Sequence, residues 1–519
     1  MAGLQHAENA QRFDVIVVGG GNAALCAALS AHDQGARVLI LEAASREDRG
    51  GNSRFAGSVF RAVHNGLDQV VENLLCDEAK PEAKYCYMHP YTPEMYHEDL
   101  AATSHGRNDP AISEVLVQNS WDTLVWMKSK GVKWELILRQ FYDFESIKRK
   151  KEGTVAIDAG GPVQAVNNGV GLMDFLWTAA EKLVSDGSMT LWYDSPAHEL
   201  LVSGDTIRGV QVRHRDTFTN VYGQVILASG GFSANPAMRR QYLGEGWDLV
   251  LVRGTKYNTG TMLRRAIEAG ARPVGHWGAC HSSPQDADGP LMGDINISPL
   301  IARYSYMYGI SVNTRGERFM DEGEDHVSKT YAKTGKKISE QPEGRVYQIF
   351  DQQTLHILPK HRYNTARPVI ADTIPQLAVK LGIDAATLQK TVDDFNAACP
   401  VDSSCFEPME NDGLCTKGLA IPKSNWALRI EKGPFKAYAT MPGITFTYGG
   451  IATDASTQVL NNEGKVMPGL FAVGEITGGL FYHNYPGGAG LPKGAVFGRI
   501  AGREAANAAA RTLPTAGRL

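Results

Sequence analysis

The feature that most limits how this chain can fold is the run from Phe13 to Ala43, FDVIVVGGGNAALCAALSAHDQGARVLILEA. Val15 to Val18 read as a buried strand, Gly19-Gly20-Gly21 as a tight turn, and the Ala- and Leu-rich stretch that follows as a helix. A second strand, Val38 to Leu41, ends in Glu42. Each part has a physical job. Gly19 permits the turn, Gly21 lets the backbone approach a pyrophosphate, and the small Ala24 lets helix and strand pack closely. The positive end of the helix faces the phosphates, so Gly19, Gly21, Asn22 and Ala23 are expected to line a dinucleotide. Glu42 lies 23 residues after Gly19, close to the spacing of an acid that grips a ribose hydroxyl, with Ala43 beside it. The pattern calls for an α/β fold with a Rossmann-like core. By itself it does not choose between NAD and FAD.

The next segment makes that choice. Residues 46–61, REDRGGNSRFAGSVFR, resemble the flavin-contacting loop of the fumarate reductase/succinate dehydrogenase flavoprotein family. VILASGGF (225–232) is a strand ending in a glycine pair, and PGLFAVGEITGG (468–479) is similar to the family's C-terminal strand. The resemblance implies FAD held by Gly50, Gly51, Asn52 and Ser53 in the loop, and by Ala197, Ala228, Ser229 and Gly230 further on. Near the C-terminus it implies Gly474, Glu475, Gly490 and Leu491, with Glu475 on the ribityl or ribose side. Asn52 stands where covalent members carry a histidine, so the expected FAD is non-covalent.

The resemblance also implies a discontinuous FAD-binding domain, residues 1–277 and 446–519, with an α+β capping domain inserted at 278–445. NTGTMLRRAIEAGA (258–271) reads as a capped amphipathic helix near the end of the first part. The inserted segment is richer in Lys, Asp, Pro and Thr and contains a helical stretch at 373–398. A lid is physically needed, because a developing carbanion must be shielded from water.

Fumarate reductases clamp a dicarboxylate with a histidine, a threonine-glutamate pair and arginines. His281 in WGACHSSP fits the histidine, but the pair falls on Ile301-Ala302. The arginine that serves as acid corresponds to His326, a second histidine to Phe446, and the last substrate arginine to Tyr485. Ordinary fumarate chemistry is therefore not expected. Tyr485-Pro486-Gly487-Gly488-Ala489 resembles the Tyr-Pro-Gly turn of 3-ketosteroid dehydrogenases, where a tyrosine and a backbone N–H hold the substrate carbonyl. RYSYMYGISVN (303–313), GERFMDEG (316–323), TYAK (330–333), IPKSNWAL (421–428), GITFTYGG (443–450) and LFYHNYPGGAGL (480–491) resemble FAD-dependent tricarballylate dehydrogenases.

The implied reaction is α,β-dehydrogenation beside a carboxylate or carbonyl, or the reverse ene reduction. Tyr485 is expected to steady the carbonyl oxygen, with the following turn's N–H groups sharing the charge. His326 is the candidate base or acid, His281 a substrate contact, and Arg303 the cation for a substrate carboxylate. Tyr331 and Tyr448 rank behind them. A ketosteroid-type dehydrogenase and a flavin-binding electron-transfer subunit are the alternatives.

Composition narrows the partners. With 52 basic against 56 acidic side chains and a net charge of -4, no basic surface for nucleic acid is expected. The run Lys148-Arg149-Lys150-Lys151, followed by Glu152-Gly153, reads as a solvated turn. Seven cysteines without a C-x-x-C pair fit reduced thiols in the cytoplasm rather than a metal site, and no metal is expected. No secretory signal or membrane-spanning run is visible. The expected partners are a small carboxylic acid or enone and an electron acceptor that the sequence does not name.

Overall fold

The computed structural model describes residues 11–138, 150–408 and 410–512. Lys148 and Arg149 of the basic run, and the first ten residues, lie outside them; Lys150 and Lys151 are exposed.

The strand Gln11–Val18 is the centre from which the fold is built. Val15, Ile16 and Val17 are fully buried, and burying each such side chain stabilises by about 1.5–3 kcal/mol. The strand pairs in parallel with Val38–Leu41 on one side and Thr217–Leu227 on the other. Val38–Leu41 pairs onward with Met189–Trp192, and Thr217–Leu227 with Val466–Ala472. A strand from near each end of the chain thus enters one sheet. Thr206–His214 and Ala197–Ser203 extend it in antiparallel fashion. This is the mixed α/β architecture that the sequence implied.

The helix Asn22–Asp33 lies against the C-terminal helix Gly490–Thr512, and glycines spaced four apart let them touch. A Cβ on Gly498 would sit 2.5 Å from Ala23 O, and one on Gly502 would sit 2.2 Å from Ala27 O. The Asn22 side-chain amide donates to Leu491 O (2.9 Å), and the Ser30 hydroxyl donates to Arg499 O (2.6 Å). This crossing fixes the first helix's N-terminus beside the N-terminus of the last.

A second sheet gathers around the long strand Phe435–Thr447, which pairs with Cys280–Asp286, Val346–Phe350, Val369–Ala371 and Leu251–Val252. Ile310–Asn313 completes it through Val346–Phe350. Its own apolar core, including Leu377, Leu388 and Phe395, is separate from the core of the first sheet. The helical stretch at 373–398 is two helices, Ile374–Leu381 and Ala385–Ala398. Gly382, left-handed at φ 71°, ends the first, and Asp384 caps the second by accepting from Thr387 N (2.8 Å). The stretch at 258–271 forms a shorter helix, Thr261–Glu268, that starts at Gly260 with no side-chain cap. Among the described residues no helix is long and apolar enough to cross a membrane.

Candidate active site

One elongated cavity runs along the carboxyl ends of the parallel strands and on between the two sheets. Every residue expected to hold FAD lines it except Gly50, which makes the left-handed turn (φ 112°) leading into Gly51–Phe55. The Asn22 N–H donates to Ser53 Oγ (3.1 Å), tying the first helix's N-terminus to that loop. Glu42 is buried, and its Oε1 accepts from Ala44 N (2.8 Å). Burial pushes its carboxyl up to about 7, with the Ala44 and Ala43 N–H groups acting against that shift.

Glu475 does more than the sequence implied. Its Oε1 accepts from Thr447 N (2.8 Å) and its Oε2 from the side-chain amides of Asn258 (2.9 Å) and Asn52 (3.3 Å). Asn52 also donates to Thr445 O (3.0 Å) and accepts from Thr255 N (3.0 Å). Four segments distant in sequence meet at this one carboxyl. Asn258 and Thr447 belong to the site but carry no sequence signal beyond their residue type.

The lining fits FAD on physical grounds. It offers a buried acid at one end, a helix N-terminus in the middle, and a second helix N-terminus beyond that. Buried polar atoms without partners border the same space: Asn258 Oδ1, Thr445 Oγ1, Arg253 Nε and both His281 ring nitrogens. Such atoms are costly unless something enters to bond them.

Past the Glu475 network the cavity becomes an aromatic box. The Tyr485 ring lies 5.2 Å from both His281 and Phe446 and 5.5 Å from Phe481, all edge-on. Tyr331 is 5.2 Å from His281, and Tyr304 is 5.1 Å from Tyr331. The Tyr331 and Tyr485 hydroxyls are hydrogen-bonded to each other. Burial pushes both phenols above their ordinary range, most strongly at Tyr331, which also feels Tyr485. Burial, aided by the positive charge of Arg253, holds the His281 imidazole well below its ordinary value, so it is neutral near pH 7.

The structure therefore brings Tyr485 and His281 together at the cavity wall. It does not bring His326 or Arg303 there. His326 is the cap of the helix Val327–Ser339, with its Nδ1 facing Ser328 N (3.3 Å) and Ser328 Oγ (2.9 Å). The helix carries Tyr331 into the box instead. Arg303 is 1% exposed and paired with Asp286, and it also donates to Arg362 O (2.8 Å). Its guanidinium is spent on these partners rather than open to a ligand. A cation that does stand at the wall is Arg253, in LVRGTK (251–256), which sequence reasoning missed. Its signal was a charged residue between a buried strand and a glycine.

The Tyr485 turn is held from behind. Arg61 donates from Nε to Gly487 O (2.9 Å) and from its backbone N–H to Gly488 O (2.9 Å). Those carbonyls are occupied, while Gly488 and Gly490 line the cavity.

A family model described as FAD binding domain matches residues 14–491. The NADH:fumarate oxidoreductase of Klebsiella pneumoniae (strain 342) is 26% identical over 513 residues, spanning 96% of this chain and 48% of that protein. The chain thus covers about half the length of that relative. Among solved structures, the open conformation of a flavocytochrome c3 fumarate reductase superposes with a TM-score of 0.69 at 25% identity, covering 97% of this chain and 79% of the other. A 3-ketosteroid delta1-dehydrogenase from Sterolibacterium denitrificans shares the fold, with a TM-score of 0.69 at 19% identity over 96% and 100% of the two chains.

Proposed function

Because this chain belongs to the FAD binding domain family, we propose that it is an FAD-dependent dehydrogenase or reductase acting on a carbon–carbon bond activated by a neighbouring carboxylate or carbonyl. The observation that carries this reading is the hydrogen-bonded pair Tyr331 and Tyr485, set in an aromatic box that continues the cofactor cavity. When bound, FAD supplies hydride exchange with the substrate. The residues supply the rest. Tyr485 and the N–H groups after it hold the substrate's carbonyl or carboxylate oxygen as negative charge builds on it. Tyr331 takes the proton role first assigned to His326: in reduction it gives its phenolic proton to the α-carbon and is left as the phenolate, and in dehydrogenation the phenolate takes the α-proton and becomes the phenol. A phenol held neutral by burial suits the reducing direction. Neutral His281 presents one N–H donor and one acceptor nitrogen to the substrate.

Residues 278–445 act in this proposal as the cap, with the helix Val327–Ser339 closing on the Tyr485 turn. The Asn484 side-chain amide already donates to Lys329 O (3.0 Å) across that seam. FAD is bound without a covalent link, since the Asn52 amide at the histidine position is spent on hydrogen bonds. The cytoplasmic reading is supported by seven cysteines that are all unpaired. The tricarballylate-like motifs favour a carboxylate-bearing substrate, and the paired phenols favour a ketosteroid-type dehydrogenase as the second reading.

The test is anaerobic spectroscopy of the FAD-loaded protein. Saturated acids including tricarballylate, and 3-keto-steroids, are offered to oxidised flavin; enoates and enones are offered to reduced flavin. Bleaching or recolouring by members of one class supports the proposal and picks the substrate class. If none acts while one-electron carriers still reduce and oxidise the flavin, the chain is an electron-transfer subunit.

The reassignment of His326 gives a separate expectation. His326→Ala keeps kcat within about threefold of the parent and costs about 1 kcal/mol of stability through the lost cap, read as a lower Tm. A fall in kcat of about 100-fold with FAD content intact would return the proton role to His326.

A further inference from the structure

We propose that Arg253 is the receptor for a single substrate carboxylate, and that the substrate is an enoate monoanion, or its saturated acid, with an apolar or aromatic body. The inference rests on the proposed CH–CH activity and narrows it.

Arg253 is 8% exposed and lines the cavity. Among the described residues its guanidinium makes no hydrogen bond or ion pair, and its Nε is buried without a partner. Among the described buried arginines, Arg362 also has an unpartnered Nε, but it lies over the Tyr304 ring (4.7 Å) and does not line this cavity, whereas the others are satisfied. Arg61 pairs with Asp99, Arg303 with Asp286 and Arg318 with Glu322, while Arg239 donates to three backbone carbonyls. Arginine does not shed its proton in proteins, so a buried, unpaired guanidinium is a standing cost that an anion would relieve.

Its placement points at the reacting end of the cavity. The Arg253 N–H donates to Ile444 O (2.8 Å), which anchors it on the strand whose next residues, Thr445 and Phe446, also line the space. Its charge is felt at His281, Tyr331 and Tyr485. A carboxylate lodged there can take the planar fork of Arg253 on one side and the Tyr485 hydroxyl on the other. The α-carbon next to it then lies at the paired phenols.

The rest of the box sets the number of charges. The walls there are Tyr304, Tyr331, Phe446, Phe481 and neutral His281. Lys493 also reaches the cavity, but its ammonium donates to Thr477 O (2.6 Å) and feels Glu475. A second or third carboxylate would be buried among aromatic rings with no further unspent cation on the cavity wall, since Arg362 packs on the Tyr304 ring without lining the cavity, and that costs more than it returns. This disfavours tricarballylate itself within the carboxylate class.

The test titrates FAD-loaded protein with cinnamate, cinnamamide, fumarate and tricarballylate, following the perturbation of the flavin spectrum. The parent is expected to bind cinnamate more tightly than the amide or the two polyacids. Arg253→Gln should weaken cinnamate by about 10- to 100-fold while leaving the amide unchanged, and Arg253→Lys should fall between. FAD content reports that each variant is folded. Equal binding of cinnamate by the parent and Arg253→Gln overturns the receptor, as does a parent that none of the acids perturbs. Tighter binding of tricarballylate or fumarate than of cinnamate overturns the single charge. Flavin bleaching by a 3-keto-steroid with no acid bound would leave the redox reading standing and remove this one.

Discussion

Tyr485→Phe is expected to lower kcat by about 100- to 1000-fold while the protein stays yellow and folded, because it removes one donor aimed at developing negative charge. The substitution is clean because the ring's packing does not depend on the hydroxyl. His281, Phe446 and Phe481 hold it edge-on from three sides, and the residue is buried. What is lost is the hydrogen bond to Tyr331 and the donor to the substrate oxygen. Burial keeps this phenol above its usual range, so the parent's rate should show no break from Tyr485 below about pH 10. Tyr331→Phe should fall in the same direction. The double variant should cost little more than the worse single one, because two groups in one hydrogen bond act as a unit. Stopped-flow reduction or reoxidation of the bound flavin reads the step directly. A Tyr485→Phe protein that keeps its kcat within about threefold would move the donor role to His281 or to the turn's N–H groups.

What the sequence revealed and what it hid follow the range of the interactions. The strand, glycine turn, helix, second strand and acid from Val15 to Glu42 were legible because each depends on near neighbours and on hydrophobic period. His281 and Tyr485 were legible from the motifs around them. His326 was not, because counting along a motif gives a position in the chain and not a direction in space. It sits at the start of a helix, and Tyr331, five residues on, is rotated by about 140° from it at about 100° per residue. The helix turned the tyrosine into the box and left the histidine to cap. Arg303 was hidden for a different reason. Its partner Asp286 lies 17 residues earlier on a strand that only the folded sheet brings alongside. Arg253 was hidden by the converse, since the absence of a partner is invisible until every neighbour has been placed.

The largest structural effect is expected at Gly19, where Gly19→Ala should yield colourless, FAD-free protein with a lowered Tm. Gly19 has φ +120°, a conformation that costs a side-chain-bearing residue about 1–3 kcal/mol. Space makes this worse. An added Cβ would lie 2.5 Å from Ala228 O and 3.0 Å from Ala228 C, and both are backbone atoms. Ala228 is itself pinned by donating its N–H to Val18 O (2.9 Å), while Gly19 donates to Leu41 O (2.8 Å). The turn cannot move without pulling apart the three central strands whose ends form the floor of the cavity. FAD affinity should fall by at least about tenfold for each 1.4 kcal/mol of distortion that binding must reverse. Gly35→Ala is the control that separates strain from collision. Gly35 also has positive φ, +80°, but nothing lies within 4 Å of its would-be Cβ, and it stands in the turn after the first helix. It should lose some Tm and keep its full complement of FAD. If Gly19→Ala purifies with as much flavin as Gly35→Ala, the close approach of the turn to Ala228 is not what shapes the cofactor site.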